Sequence, residues 1–131
     1  MTTVVPPTFD HGDRFFWEGA EAGRLLLQRC DGCGTLRNPP RPMCGVCQSL
    51  EWTAVEASGR GTIQSWIASH HPNEPDAPPR IVILVDLEEG LRLVSNLVDA
   101  TPDEVDNGAP VELCFRRYGD VTLPQFRLVR S

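Results

Sequence analysis

The chain has 131 residues, room for one compact domain or two very small ones, and its formal net charge of -6 sets it as a whole against phosphate backbones. All twelve basic residues are Arg and none is Lys, which excludes Schiff-base lysine chemistry; Arg suits planar, bidentate phosphate recognition, but a genome-wide codon bias is the simpler cause. The opening MTTVVPPTFDHGDRFF has neither a basic n-region nor an apolar core, and no apolar run reaches the length of a membrane span, so a cytoplasmic protein with reduced cysteines and no membrane contact is expected.

Residues 1–8 read as extended. A helix is expected from Asp10 to about Ala22, capped by Asp10 or Asp13, with Phe9, Phe16 and Ala20 on one face and Gly23 as its stop. The aromatic run Phe15-Phe16-Trp17 is dense for so short a helix. It either packs on the protein's own core or docks onto a partner. Residues 1–23 are thus set apart as an N-terminal helical segment.

Residues 24–58 read as a zinc ribbon. Arg24–Arg29 forms a strand that delivers Cys30 and Cys33; residues 34–43 make a Pro-rich loop; Cys44 and Cys47 follow; Glu51–Val55 closes the ribbon with a second strand. Two C-x-x-C pairs in a reduced compartment point to a metal rather than to disulfides. Zinc takes four thiolates in a tetrahedron, and each C-x-x-C turn brings two sulfurs onto one ion. Gly32 and Gly34 at one knuckle and Gly45 at the other are expected to permit the tight left-handed turns. With all four positions Cys, no coordination site is left for water or substrate, so the zinc is expected to be structural. Residues 24–60 carry a charge surplus of +2, from five Arg against Asp31, Glu51 and Glu56, whereas residues 1–23 sum to -3 and residues 61–131 to -5. Four thiolates on one zinc would cancel that surplus, so a broad nucleic-acid surface is not indicated, and a local pocket for a small anion stays open.

Gly59-Arg60-Gly61 reads as the hinge into residues 59–131, where the strand period dominates. Strands are expected at Thr62–Ser69, Ile81–Leu87, Leu91–Val98, Val111–Arg117 and Gln125–Val129, with a short helix from Thr101 stopped by Asn107-Gly108. His70–Arg80 is a long polar loop, and Glu88-Glu89 reads as a solvated turn. Three strands, a helix and two strands is the order of a five-stranded OB-fold barrel. The fold class is mainly β: N-terminal helix, rubredoxin-like zinc ribbon, C-terminal OB-fold.

Few other residues invite chemistry. His70 and His71 open a loop but point to opposite faces of an extended chain. Cys114 alternates with apolar neighbours on a strand and reads as a half-buried thiol. Trp52, Trp66 and Tyr118 read as core fillers rather than base-stacking platforms. No nucleophile elbow, Walker, Rossmann or H-E-x-x-H pattern occurs.

Taken in order, Phe16-Trp17-Glu18-Gly19, Gly23-Arg24-Leu25, Gln28-Arg29-Cys30-x-x-Cys33-Gly34, Pro39-Pro40-Arg41-Pro42, Cys44-x-x-Cys47, Glu51-Trp52, Ser58-Gly59-Arg60-Gly61-Thr62, Val85 with Glu89-Gly90, Asn96-Leu97 and Gly108-x-Pro110-Val111-Glu112 resemble the DUF35 family over nearly the whole chain. The resemblance implies a zinc ribbon, an OB-fold and an N-terminal helix. It also implies an acyl-CoA setting: a small subunit beside a thiolase-fold aldolase or thiolase, as in archaeal thiolase–HMG-CoA synthase assemblies and actinobacterial steroid side-chain aldolases, where a MaoC-like hydratase accompanies it. On that basis the chain is expected to be a non-catalytic subunit that helps to form an acyl-CoA pocket. Arg37, Arg41 and Arg60 are candidates for the CoA phosphates, and Phe15, Phe16 and Trp17 for partner docking. The alternatives are a nucleic-acid-binding ribbon and OB module, which a salt-dependent gel shift would reveal, and a stand-alone acyl-CoA hydratase or lyase using His70 or His71.

Overall fold

The computed structural model describes residues 14–38, 40–70, 73, 76 and 78–129. The expected extended start, Phe9, the caps Asp10 and Asp13, and His71 lie outside these residues. Helix α1 (Arg14–Glu21) precedes β1 (Leu26–Cys30), β2 (Leu36–Arg37), β3 (Trp52–Glu56), β4 (Arg60–Ser69), β5 (Arg80–Leu87) and β6 (Arg92–Val98). A single 3-10 turn at Pro102–Glu104 then leads to β7 (Pro110–Tyr118) and β8 (Val121–Leu128). The class is the expected one: mainly β, with one helix, a four-cysteine ribbon and a closed five-stranded barrel in OB order. Two compact units share the chain. One runs to Ala57 and takes in Phe115–Leu123; the other comprises Ser58–Cys114 and the residues from Pro124.

In the first unit, α1 ends where the sequence offers glycine. Gly23 adopts φ +76°, a left-handed conformation that glycine enters without steric cost. Its N–H donates to the Ala20 carbonyl at 3.0 Å and the Arg24 N–H to the Gly19 carbonyl at 2.8 Å, the double closure of a Schellman cap. Gly19 and Ala20 are buried. A Cβ on Gly19 would stand 2.8 Å from the Leu26 side chain, so its absence lets the helix lie close against β1. Phe15 meets Trp52 with ring centroids 4.7 Å apart and so packs on the chain's own sheet. Phe16 and Trp17 meet edge-on at 5.0 Å and stay half exposed.

The ribbon sheet has the order β2-β1-β3, antiparallel throughout. Gln28 stands opposite both Arg37 and Ala54, and Cys30 opposite Trp52. Opposed residues share a face, so Leu26, Gln28, Arg37 and Trp52 lie on the face that α1 covers.

The barrel closes as β4-β5-β6-β8-β7. A parallel contact joins β6 to β8 at Leu97↔Phe126, and closure is made where Arg60 to Thr62 pair with Glu112 to Pro110. On β5, Ile81, Ile83, Val85 and Leu87 alternate inward with half-buried neighbours; with Ile63, Val111 and Phe126 they form the core. Gly61 sits where a Cβ would come within 2.6 Å of the Asp86 carbonyl oxygen, so only glycine lets β4 and β5 pair there undistorted.

Several features differ from expectation, among them β2, which lies inside the expected Pro-rich loop. The helix after Thr101 is one 3-10 turn, although its cap is built as foreseen: Glu104 Oε1 accepts the Thr101 N–H at 2.9 Å. β8 begins at Val121 rather than Gln125 and runs through Pro124. Glu89 is no solvated tip: half-buried, it accepts the Ser58 N–H at 2.7 Å through Oε2, while the exposed Glu88 pairs with Arg60 at 3.3 Å.

Candidate metal centre

The two C-x-x-C segments fold into matching knuckles. In the first, the Gly34 N–H returns to the Cys30 carbonyl at 2.9 Å and the Cys30 N–H donates to the Thr35 carbonyl at 2.9 Å. In the second, the Gln48 N–H returns to the Cys44 carbonyl at 3.0 Å and the Cys44 N–H donates to the Ser49 carbonyl at 2.9 Å. The residue after each second cysteine is left-handed, Gly34 at φ +78° and Gln48 at φ +64°. The conformational role assigned to Gly45 in the sequence therefore belongs to Gln48. Neither Gly32 nor Gly45 has a positive φ; Gly32 is instead small because a Cβ there would lie 3.1 Å from Cys47 Sγ. Gln48 carried no compositional signal. Laying the second knuckle over the first is the reading that finds it.

The sulfurs of Cys30, Cys33, Cys44 and Cys47 all lie within 4.8 Å of one another. Across the knuckles, Cys30 and Cys47 are 3.4 Å apart and Cys33 and Cys44 3.6 Å. A tetrahedron with Zn–S near 2.3 Å has sulfurs about 3.8 Å apart, so this donor set fits zinc in number, softness and spacing. Cys30 and Cys44 are buried, Cys33 and Cys47 exposed. Backbone N–H groups aim at the sulfurs, from Gly32 to Cys30 at 3.3 Å and from Val46 to Cys44 at 3.4 Å. The N–H groups of Cys47 and Val46 hold the Cys44 thiol down at about 6, and that of Cys33 lowers Cys30. Cys47 receives the Ser49 N–H, which lowers it, yet the crowding sulfurs led by Cys30, together with burial, push it up to about 12. The backbone N–H groups thus favour the thiolate at Cys30 and Cys44, and four thiolates at this spacing need a cation between them.

The candidate arginines fall in different settings. Arg37 is buried in β2. Arg41 is exposed, and its N–H donates to Gln28 Oε1 at 2.9 Å, which draws the loop after β2 back onto the sheet. Arg60 opens β4 in the other unit, exposed and paired with Glu88. Gln28, 2% exposed, went unremarked in the sequence, although a glutamine inside Leu-Leu-Leu-Gln is itself a signal. His70 is exposed, and Cys114 is half-buried on β7. Among the described residues no helix is long and apolar enough to cross a membrane.

Known proteins match both halves. Residues 17–53 match the family described as the ChsH2 rubredoxin-like zinc ribbon domain, and residues 54–116 the ChsH2 C-terminal OB-fold domain. A probable enoyl-CoA hydratase alpha subunit of Thermomonospora curvata is 45% identical over 123 residues, covering 92% of this chain and 39% of that protein. The 3-oxo-4,17-pregnadiene-20-carboxyl-CoA hydratase alpha subunit of Mycobacterium tuberculosis is 36% identical over 121 residues, with the same 92% and 39%. The chain therefore spans about two fifths of the length of these relatives. A DUF35 domain-containing scaffold protein of Methanocaldococcus jannaschii is 34% identical over 96 residues, 71% of this chain and 68% of that one. Among solved structures, a chain of the Ltp2-ChsH2(DUF35) aldolase superposes with a TM-score of 0.87 at 44% identity, covering 93% of this chain and 98% of its own.

Proposed function

The chain belongs to the DUF35 family, and from that premise we propose that it is a non-catalytic accessory subunit of a thiolase-fold acyl-CoA enzyme, an aldolase, lyase or thiolase. The observation that carries this reading is the superposition, over nearly its full length, on a component of an aldolase. The hydratase alpha subunits that share this segment support an acyl-CoA setting, with a MaoC-like hydratase as a second partner. The steroid-CoA name of one of them favours steroid side-chain degradation, in the cytoplasm.

Within that role, Cys30, Cys33, Cys44 and Cys47 hold a structural zinc that keeps the 24–58 ribbon folded. The ion supplies cross-linking and charge balance, with every coordination position taken by sulfur. The chain, with its ribbon and its 59–131 OB-fold, then helps the complex to form its acyl-CoA pocket, and Arg37, Arg41 and Arg60 are each candidates for CoA phosphate contacts. Half-exposed Phe16 and Trp17 are the docking candidates; Phe15 supports them from the ribbon side. Three barrel arginines are already answered by acids, Arg60 by Glu88, Arg92 by Asp86 and Arg127 by Glu112, which weighs against a nucleic-acid groove.

The test is co-purification. A tagged thiolase-fold aldolase or thiolase from the same genome should retain the chain through gel filtration, and Trp17→Ala should weaken retention at least tenfold. A chain that elutes alone with every such partner would sink the proposal.

A further inference from the structure

Arg37 is 7% exposed, and its Nε and both terminal nitrogens are buried without a hydrogen-bond partner among the described residues. Arg60, Arg92, Arg117 and Arg127 each meet a carboxylate, at 3.3, 2.8, 3.6 and 2.8 Å. Those four sit in water, where a counter-charge contributes little. Arg37, which is buried, meets no counter-charge among the described residues. A guanidinium cannot neutralise itself by losing its proton, and an uncompensated charge in a dry interior is among the costliest arrangements a fold can hold.

Its surroundings are built rather than accidental. Arg37 stands opposite Gln28 on the sheet face covered by α1. Gln28 is itself 2% exposed, and its Oε1 is occupied by the Arg41 N–H, which folds the loop after β2 over the same place. The guanidinium is thus held on a strand beside a buried glutamine and a loop tied to it, with its donors unspent among the described residues. A fixed planar fork of N–H donors shielded from water matches the two oxygens of one carboxylate or phosphoryl group.

We propose that Arg37 is a buried oxyanion receptor, which takes one carboxylate or phosphoryl group as a bidentate partner. This sharpens the reading of Arg37 as an anion contact and fails separately from the subunit role, because its test uses the zinc-loaded chain alone.

The probe is the Arg37 Nε–H signal of the 15N-labelled chain, assigned by its loss in Arg37→Lys. Inorganic phosphate and, in a separate titration, acetate should shift that signal saturably, where sodium chloride of equal ionic strength does not. The Tm should rise with the same anion, by severalfold less in Arg37→Lys and not at all in Arg37→Met. The stronger of the two anions identifies the source as phosphoryl or carboxylate. A signal indifferent to both anions overturns the proposal, because the counter-charge then comes from within the chain. A Tm gain that survives Arg37→Met overturns it equally. The wild-type titration decides the matter even if Arg37→Met does not fold.

Discussion

Gln48 spends its place in the second knuckle in a left-handed conformation that a side chain resists. Gln48→Gly should therefore stabilise the zinc-loaded chain by up to about 1 kcal/mol in urea unfolding. Gly45→Ala, with nothing within 4 Å of the added carbon, should stay within about 0.5 kcal/mol of the parent. The reverse pattern would mean that the knuckles are not equivalent. Glu88 makes a second residue-level case. The Ser58 hydroxyl and then Arg60 hold its carboxyl below the usual range. A carboxyl lowered on folding adds stability above its unfolded value and loses it as acid passes through the lowered one. Glu88→Gln should thus lower Tm slightly at pH 7 and leave it unchanged at pH 2.5; an equal gap at both would show the pair to be inert. The four cysteines were legible in the sequence because metal chemistry fixes their spacing. Gln48 was not, since a backbone angle leaves no mark on residue type when the knuckle tolerates a side chain.

At the scale of elements, period-two patterning exposed β4, β5 and β6, whose inward positions are nearly all Ile, Leu or Val. It missed β2, two residues beside a Pro-rich stretch, and the first half of β8, where Val121 to Pro124 read locally as loop. Both are strands because a neighbour offers them a ladder, not because their residues prefer one. The helix poses the opposite problem. Its residues suggested amphipathicity, and a glycine such as Gly19 ordinarily weakens a helix interior. The close approach to Leu26 turns that weakness into a requirement. Gly19→Ala should cost about 1–3 kcal/mol through overpacking, read as a lower Tm with altered fluorescence from Trp17 and Trp52. An unchanged melt would mean that α1 is not held where it lies. Gly61→Ala should cost a similar amount by forcing β4 from the Asp86 carbonyl, and Gly119→Ala, at an open tip, should cost less.

At the scale of the whole chain, the sequence disclosed the order of parts because each follows its own chemistry: thiolates for the ribbon, alternation for the barrel. Removing the metal with a chelator at neutral pH should expose the four thiols to Ellman's reagent and erase part of the cooperative melt, as the ribbon's folding free energy is its metal affinity. A melting curve indifferent to chelation would contradict a structural zinc. The ring of the barrel has a further bearing on how the protein is made. β4 meets one neighbour, β5, soon after in the chain, but its other, β7, only when Pro110 to Glu112 have been synthesised, and β6 waits for Phe126. The ribbon's ladders are complete once Glu56 has appeared. A ribosome therefore releases a segment able to capture its ion while the half-finished barrel still shows two bare edges. The interval before those edges meet is when a nascent chain is most open to wrong pairing, so a pause in translation between β6 and β7 should lower the yield of native protein more than one placed before β4.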